Sequence, residues 1–122
     1  MKDLKISIII PLYNEENTII KLLKKIYSLK IKNFEIIVVN DGSTDNSLKL
    51  VNDFSKKKKI KIISHKKNIG KGAAIKSAKK FVRGSIIIIQ DADLEYDPKD
   101  YFKLIKPIKE KKCKVVYGSR VL

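Results

Sequence analysis

Asp91 and Asp93 stand one residue apart at the end of the apolar run Ile86 to Ile89, within S-I-I-I-I-Q-D-A-D-L-E-Y-D-P from Ser85 to Pro98. On extended chain, residues i and i+2 point the same way, with backbone positions about 6.6 Å apart at a rise of about 3.3 Å per residue. The pair can therefore reach toward one hard cation, and Glu95 can join them directly or through water. All-oxygen ligands favour Mg²⁺ or Mn²⁺ over zinc, and two carboxylates leave positions for waters and phosphate oxygens. Asp97 reads differently, as the cap of a helix whose first residue is Pro98. A D-x-D pair is common by chance; its place directly after a buried strand is what makes it informative.

Lys71 lies in a G-K-G turn at the expected start of a helix, which reads either as an anion site, where free N–H groups and a lysine act together, or as a flexible turn with a surface lysine. Neither the Walker phosphate loop nor G-x-G-x-x-G is present, so an ordinary NTPase or dinucleotide enzyme is not indicated. Asp41 before Gly42 fits turn chemistry, and equally fits a carboxylate accepting hydrogen bonds from a base or ribose. Tyr13 could stack on a base or pack in the core. His65 and Cys113 read as structural, and a single cysteine excludes an internal disulfide or a cysteine-based metal site.

These residues need elements to hold them. Short β-branched runs at Ile6–Ile10, Phe34–Val39, Ile60–Ile63 and Ile86–Ile89, with a weaker one at Val115–Tyr117, read as parallel strands buried on both faces. Helical stripes lie between them: Ile19, Leu22, Leu23, Ile26 and Tyr27, then Leu48, Val51 and Phe54 behind a cap at Ser43 or Thr44. Ala74, Ala78, Phe81 and Val82 form a third stripe, and Tyr101, Leu104, Ile105 and Ile108 a fourth, cut short by Pro107. The β-α-β-α-β-α-β-α-β order predicts a doubly wound α/β domain, its mostly parallel sheet covered by helices on both faces. Ligands bind such sheets beyond the carboxyl ends of the strands. The loops P-L-Y-N-E-E, N-D-G-S, N-I-G-K-G and Q-D-A-D all fall there.

At 122 residues the chain suits one domain, and 43% hydrophobic content argues against disorder. The formal charge of +15 comes from lysine, with arginine only at Arg83 and Arg120. Such a surface could meet nucleic acid, anionic lipid headgroups or a phosphorylated substrate, or simply reflect lysine at solvated positions. No apolar stretch is long enough for a signal peptide or membrane span, so the expected location is cytoplasmic, with peripheral contact at the membrane face.

In order, S-I-I-I-P-L-Y-N-E-E, E-I-I-V-V-N-D-G-S-T-D, N-I-G-K-G-A-A, D-A-D-L-E-Y-D-P and V-V-Y-G-S-R resemble family 2 glycosyltransferases of the GT-A fold. The dolichol-phosphate and polyprenyl-phosphate mannosyl- or glucosyltransferases look most similar. The resemblance implies that Pro11, Tyr13, Glu15 and Asp41 line a nucleotide pocket, with Ala92 on the donor. It also implies that Asp91 and Asp93, with Glu95 nearby, hold Mg²⁺ or Mn²⁺ on the donor diphosphate, and that Lys71 and Arg120 lie near the phosphates. The implied reaction moves a hexose, with inversion, from a GDP- or UDP-sugar to a lipid-phosphate or glycan acceptor. Asn40 departs from an aspartate common in the family, while the following Asp41 is retained. Relatives continue past G-S-R into an acceptor-binding segment, so residues 1–122 read as a single nucleotide-sugar-binding domain shortened before it.

Other readings remain at this point. A nucleic-acid-binding module would answer to the charge, but the rim is acidic and its aromatics are not interleaved with lysines. A sugar nucleotidyltransferase would want glycines after the first strand, which P-L-Y-N-E-E lacks. A non-catalytic nucleotide-binding remnant would keep the pocket without turnover.

Overall fold

The computed structural model describes residues 5–94, 97–100, 115–117 and 120–121, with Asp100 and the last two segments described by backbone alone. Glu95, Cys113 and the fourth helical stripe lie outside the described residues. In chain order the elements are β1 (Ile6–Leu12), α1 (Ile19–Ser28), β2 (Phe34–Asp41), α2 (Ser47–Ser55), β3 (Lys61–His65), α3 (Lys71–Lys79) and β4 (Ile86–Ile89). A 3₁₀ turn at Pro98–Asp100 precedes β5 (Val115–Tyr117) and β6 (Arg120–Val121).

The sheet runs β3-β2-β1-β4-β5-β6, parallel throughout except for the β5–β6 pair. Its register stacks Ile8 between Ile36 and Ile88, and Ile9 between Ile37 and Ile89. Successive side chains alternate faces, so an unbroken isoleucine run feeds two separate cores. On one face Ile8, Ile10, Val38 and Ile88 pack against Leu22, Leu23 and Ile26 of α1 and Val51 of α2. On the other, Ile9, Ile37, Val39 and Ile89 meet Ala74 and Ala78, whose small side chains let α3 lie close to the sheet. Each fully buried isoleucine contributes on the order of 1.5–3 kcal/mol relative to exposure. The expected doubly wound architecture, with helices on both faces, is the one formed.

Three local expectations differ from the structure. β3 spans Lys61–His65 rather than Ile60–Ile63, and is half-buried with Lys61 and Ser64 exposed, because it is an edge strand paired only to β2. α2 begins at Ser47, with Asn46 as its cap residue, because Ser43 and Thr44 are engaged by the neighbouring β1–α1 loop. α3 ends at Lys79, so Phe81 leaves the buried stripe and lies 42% exposed, with the Lys61 ammonium 4.4 Å from its ring centre. Asp97 accepts the Lys99 N–H at 3.0 Å where a 3₁₀ turn begins, and the helix it was expected to cap lies outside the described residues.

The amino-terminal end of the sheet is pinned by Ser7. Its buried hydroxyl donates to Glu35 Oε2 at 2.5 Å and accepts the Gly84 N–H at 2.8 Å, while Arg83 N–H donates to the same carboxylate. Among the described residues no buried side-chain polar atom lacks a partner. None of the helices among them is long and apolar enough to cross a membrane. After β3 the chain returns across the sheet to place β4 on the far side of β1, which makes the carboxyl ends of β1 and β4 the crevice where the winding reverses.

Candidate functional site

A cleft of about 360 Å³ opens at that crevice. Pro11, Tyr13 and Glu15 come from the end of β1, Asp41 from β2, Asn68, Gly70 and Lys71 from the β3–α3 loop, and Asp91, Ala92 and Asp93 from beyond β4. The four loops expected to converge do so. Tyr13 is 45% exposed, which removes it from the core and leaves a ring available for stacking.

The walls of the cleft are cross-braced. Asn14 adopts φ +50°, a left-handed conformation that asparagine tolerates better than most residues. In that turn its Oδ1 accepts the N–H groups of Thr44 and Asp45 at 2.8 and 3.2 Å, and its own N–H donates to Ser43 Oγ. Glu15 N–H donates to Ser47 Oγ, and Glu16 N–H to Asp45. Burial alone would raise the Asp45 carboxyl, but hydrogen bonds from Ser47 and Glu16 outweigh it and hold the group below the usual carboxylate range. The β1–α1 and β2–α2 loops are thus tied into one wall.

Asp41 organises the next wall. It is 3% exposed. Its Oδ1 accepts His65 Nδ1–H at 2.8 Å and the Ile69 N–H at 2.9 Å; its Oδ2 accepts the Gly70 N–H at 2.8 Å and Asn68 Nδ2 at 3.1 Å. His65 Nε2 pairs with Ser77 Oγ at 2.8 Å, which ties this carboxylate to α3. Burial pushes the Asp41 carboxyl up, but the bonds from His65, Ile69 and Gly70 prevail and its titration lies below the ordinary range. Asp41 therefore faces the cleft as the anchor of the loop that carries Lys71. Gly42, beside it, has φ +72°, and a Cβ there would stand 2.4 Å from the backbone of Lys67 and Asn68. Gly42→Ala should lower unfolding free energy by about 2 kcal/mol or more, through left-handed strain and collision with that loop, as urea denaturation would read.

Strand pairing of β4 ends at Ile89, and Gln90 N–H still reaches Ile9 O at 2.9 Å. Asp91 and Asp93 thus lie in the turn that follows, not on extended chain, which corrects the expectation that strand alternation aligns them. The turn is held instead by Thr18 Oγ, which donates to the carbonyl of buried Ala92 at 2.5 Å, and Leu94 closes it at φ +67°. Both carboxylates line the cleft, Asp93 exposed and Asp91 with 46% of its side chain accessible. Lys71 Nζ lies 2.5 Å from Asp91 Oδ1.

As a metal centre, the pair offers oxygen donors alone. Among the described residues no group of three or more metal-ligating side chains forms. An ion held by Asp91 and Asp93 would therefore keep positions for water and phosphate oxygens, which suits Mg²⁺ or Mn²⁺. Glu95 lies outside the described residues. Arg120 is placed by register: it pairs with Tyr117, which pairs with Ile89, at the carboxyl end of β4 beside the same rim.

Asn14, Thr18, Asp45, Ser47 and the His65–Ser77 pair were not singled out as site-builders by sequence reasoning. Only Asn14, in a turn between Tyr13 and Glu15, offered a local signal; the Thr18–Ala92 bond spans 74 positions. A larger groove of about 500 Å³ lies at the other end of the strands, lined by Lys5, Lys61, Phe81 and Arg83 among others. The carboxylate on its wall, Glu35, is already bonded to Ser7 and Arg83, so acid and base chemistry do not converge there.

Residues 7–122 match the family model for Glycosyl transferase family 2. Dolichol-phosphate mannosyltransferase of Pyrococcus furiosus is 35% identical over 118 residues, covering 96% of this chain and 33% of that protein. Among solved structures, S. aureus TarS 1-349 in complex with UDP-GlcNAc superposes with a TM-score of 0.74 at 29% identity, covering 87% of this chain and 31% of that one. Mannosyltransferase PcManGT from Pyrobaculum calidifontis, in complex with GDP-Man and Mn²⁺, gives 0.72 at 26% identity, covering 80% and 30%. The chain spans between a third and a half of the length of the curated relatives it matches first.

Proposed function

The chain belongs to glycosyltransferase family 2, and from that premise we propose that its rim cleft binds the nucleotide diphosphate end of a GDP- or UDP-hexose for transfer to a lipid-phosphate acceptor. The observation that carries this reading is the meeting of Asp91, Asp93, Lys71 and Tyr13 in one cleft at the winding reversal of the sheet. Relatives and neighbours whose names cite dolichol phosphate, UDP-GlcNAc, GDP-Man and Mn²⁺ support the chemical class.

In this reading Tyr13 stacks on the base, and Pro11 and Glu15 shape the pocket around it. Asp41 holds the 68–70 loop, so that Lys71 stands where the diphosphate lies. Asp91 and Asp93 would hold Mg²⁺ or Mn²⁺, which when bound would supply Lewis-acid stabilisation of the leaving diphosphate. As the glycosidic bond lengthens with inversion, negative charge grows on the departing oxygen, and the Lys71 ammonium stabilises it more than it stabilises the ground state. Arg120, at the same rim by register, is assigned the same role. A phosphate acceptor is already ionised at neutral pH and needs little help from a general base, unlike a sugar hydroxyl. The lysine-rich surface fits a peripheral cytoplasmic enzyme drawn to an anionic membrane that carries such acceptors.

Calorimetric titration of the 122-residue chain with GDP- and UDP-sugars, with Mn²⁺ and with EDTA, tests the proposal. Metal-dependent heat with one base and little with the other is expected. Absence of heat in every titration would overturn it.

A further inference from the structure

We propose that Lys71 guards Asp91: in the donor-free protein its ammonium occupies the carboxylate that a divalent cation needs, and a nucleoside diphosphate draws it away, so that cation and donor bind as a coupled pair. This rests on the reading of the cleft given above. At 2.5 Å the Lys71 Nζ–Asp91 Oδ1 contact is a direct ion pair, between side chains that are each about half exposed (45% and 46%). A dication approaching the same carboxylate meets a positive charge already seated on it.

The position of Lys71 supports the inference independently. It is the first residue of α3, after Gly70 at φ +123°. A cation there meets the positive end of the helix dipole, an unfavourable placement that needs an anion beside it. Asp91 supplies that anion here. A diphosphate carries more negative charge, spread over several oxygens, and is the stronger partner for an ammonium at this point. Once the ammonium turns to the diphosphate, Asp91 is released toward the cation. By linkage, whatever factor the nucleotide adds to cation affinity, the cation adds to nucleotide affinity.

The test measures Mn²⁺ binding from the free-ion paramagnetic resonance signal, with and without UDP or GDP, for the native chain and for Lys71→Met, Lys71→Gln and Lys71→Arg. The two neutral variants should bind Mn²⁺ alone about fivefold to tenfold more tightly than the native chain. The factor by which nucleotide tightens Mn²⁺ should fall to match, and Lys71→Arg should restore native behaviour on both counts. Neutral variants that bind Mn²⁺ alone with native or weaker affinity, or that keep the native coupling factor, overturn the inference. Asp91→Asn separates the two levels of argument. If it weakens Mn²⁺ binding while the Lys71 variants fail the test, the metal site stands without its guard. If no chain binds Mn²⁺ with either nucleotide, both readings fall.

Discussion

A chain carrying Asp91→Asn and Asp93→Asn together should fold normally and lose its metal-dependent affinity for the donor by about a hundredfold or more. The two halves of this expectation have different causes. Both side chains are exposed or half-exposed in a turn that begins after β4 pairing has ended, so neither contributes to the buried cores. Losing the Lys71–Asp91 ion pair removes no more than about 1 kcal/mol, the upper end for pairs this accessible. The turn itself is held by the Thr18 hydroxyl on the Ala92 carbonyl, which the substitutions leave in place. The melting temperature should therefore stay within a few degrees of native. Donor affinity should behave otherwise: in the proposed reading the diphosphate and the cation would each be bound largely through the other, and neutralising both carboxylates would remove the charged groups assigned to the cation. Calorimetry with Mn²⁺ and with EDTA reads the difference directly. A double variant that still shows Mn²⁺-stimulated donor binding would mean the cation is held elsewhere, and the assignment of the D-x-D pair would fail.

What could be read in advance follows from how local each cause is. β1, β2 and β4 were legible because strands buried on both faces demand unbroken runs such as Ile86 to Ile89, and little else in a short domain does. Edge strand β3 was legible in kind but not in bounds, since with one neighbour it tolerates Lys61 and Ser64 on its open side. β6 is two residues long and exists by pairing with β5, so nothing in its own composition announces it. The start of α2 was misplaced for a tertiary reason: Ser43 and Thr44 are good caps by type, but Asn14 engages both from another loop. The rim was legible because strand ends and polar loops recur together. The partners inside it were not, because the bonds from Asp41 to Ile69 and Gly70 join positions 28 and 29 residues apart.

Asp41→Ala should be the most destabilising single change at the rim, lowering unfolding free energy by about 3 kcal/mol. The native carboxylate accepts four hydrogen bonds in a nearly closed environment, and its removal leaves the N–H groups of Ile69 and Gly70 and the His65 ring without their acceptor. Bonds to a charged group are worth about 1.5–3 kcal/mol each, and they do not add fully when the orphaned loop can relax toward water. For a chain of this size the loss corresponds to a fall in melting temperature of roughly 10 °C. Acid should reproduce part of this effect in the native chain. Asp41 and Asp45 both titrate below their ordinary range when folded, because the hydrogen bonds each accepts outweigh the opposing effect of burial. A folded value lower than the unfolded one means the stabilisation is complete above the unfolded value, about 4, and drains away as pH falls through the folded value. The gap in unfolding free energy between native and Asp41→Ala chains should therefore be wide at pH 7 and narrow as the pH drops below about 4. Urea unfolding across that range, read by circular dichroism, measures it. Equal gaps at both ends would show that charge on Asp41 is not what secures the loop. Because that loop carries Lys71, the same substitution should weaken donor binding at neutral pH even at temperatures where the variant is fully folded.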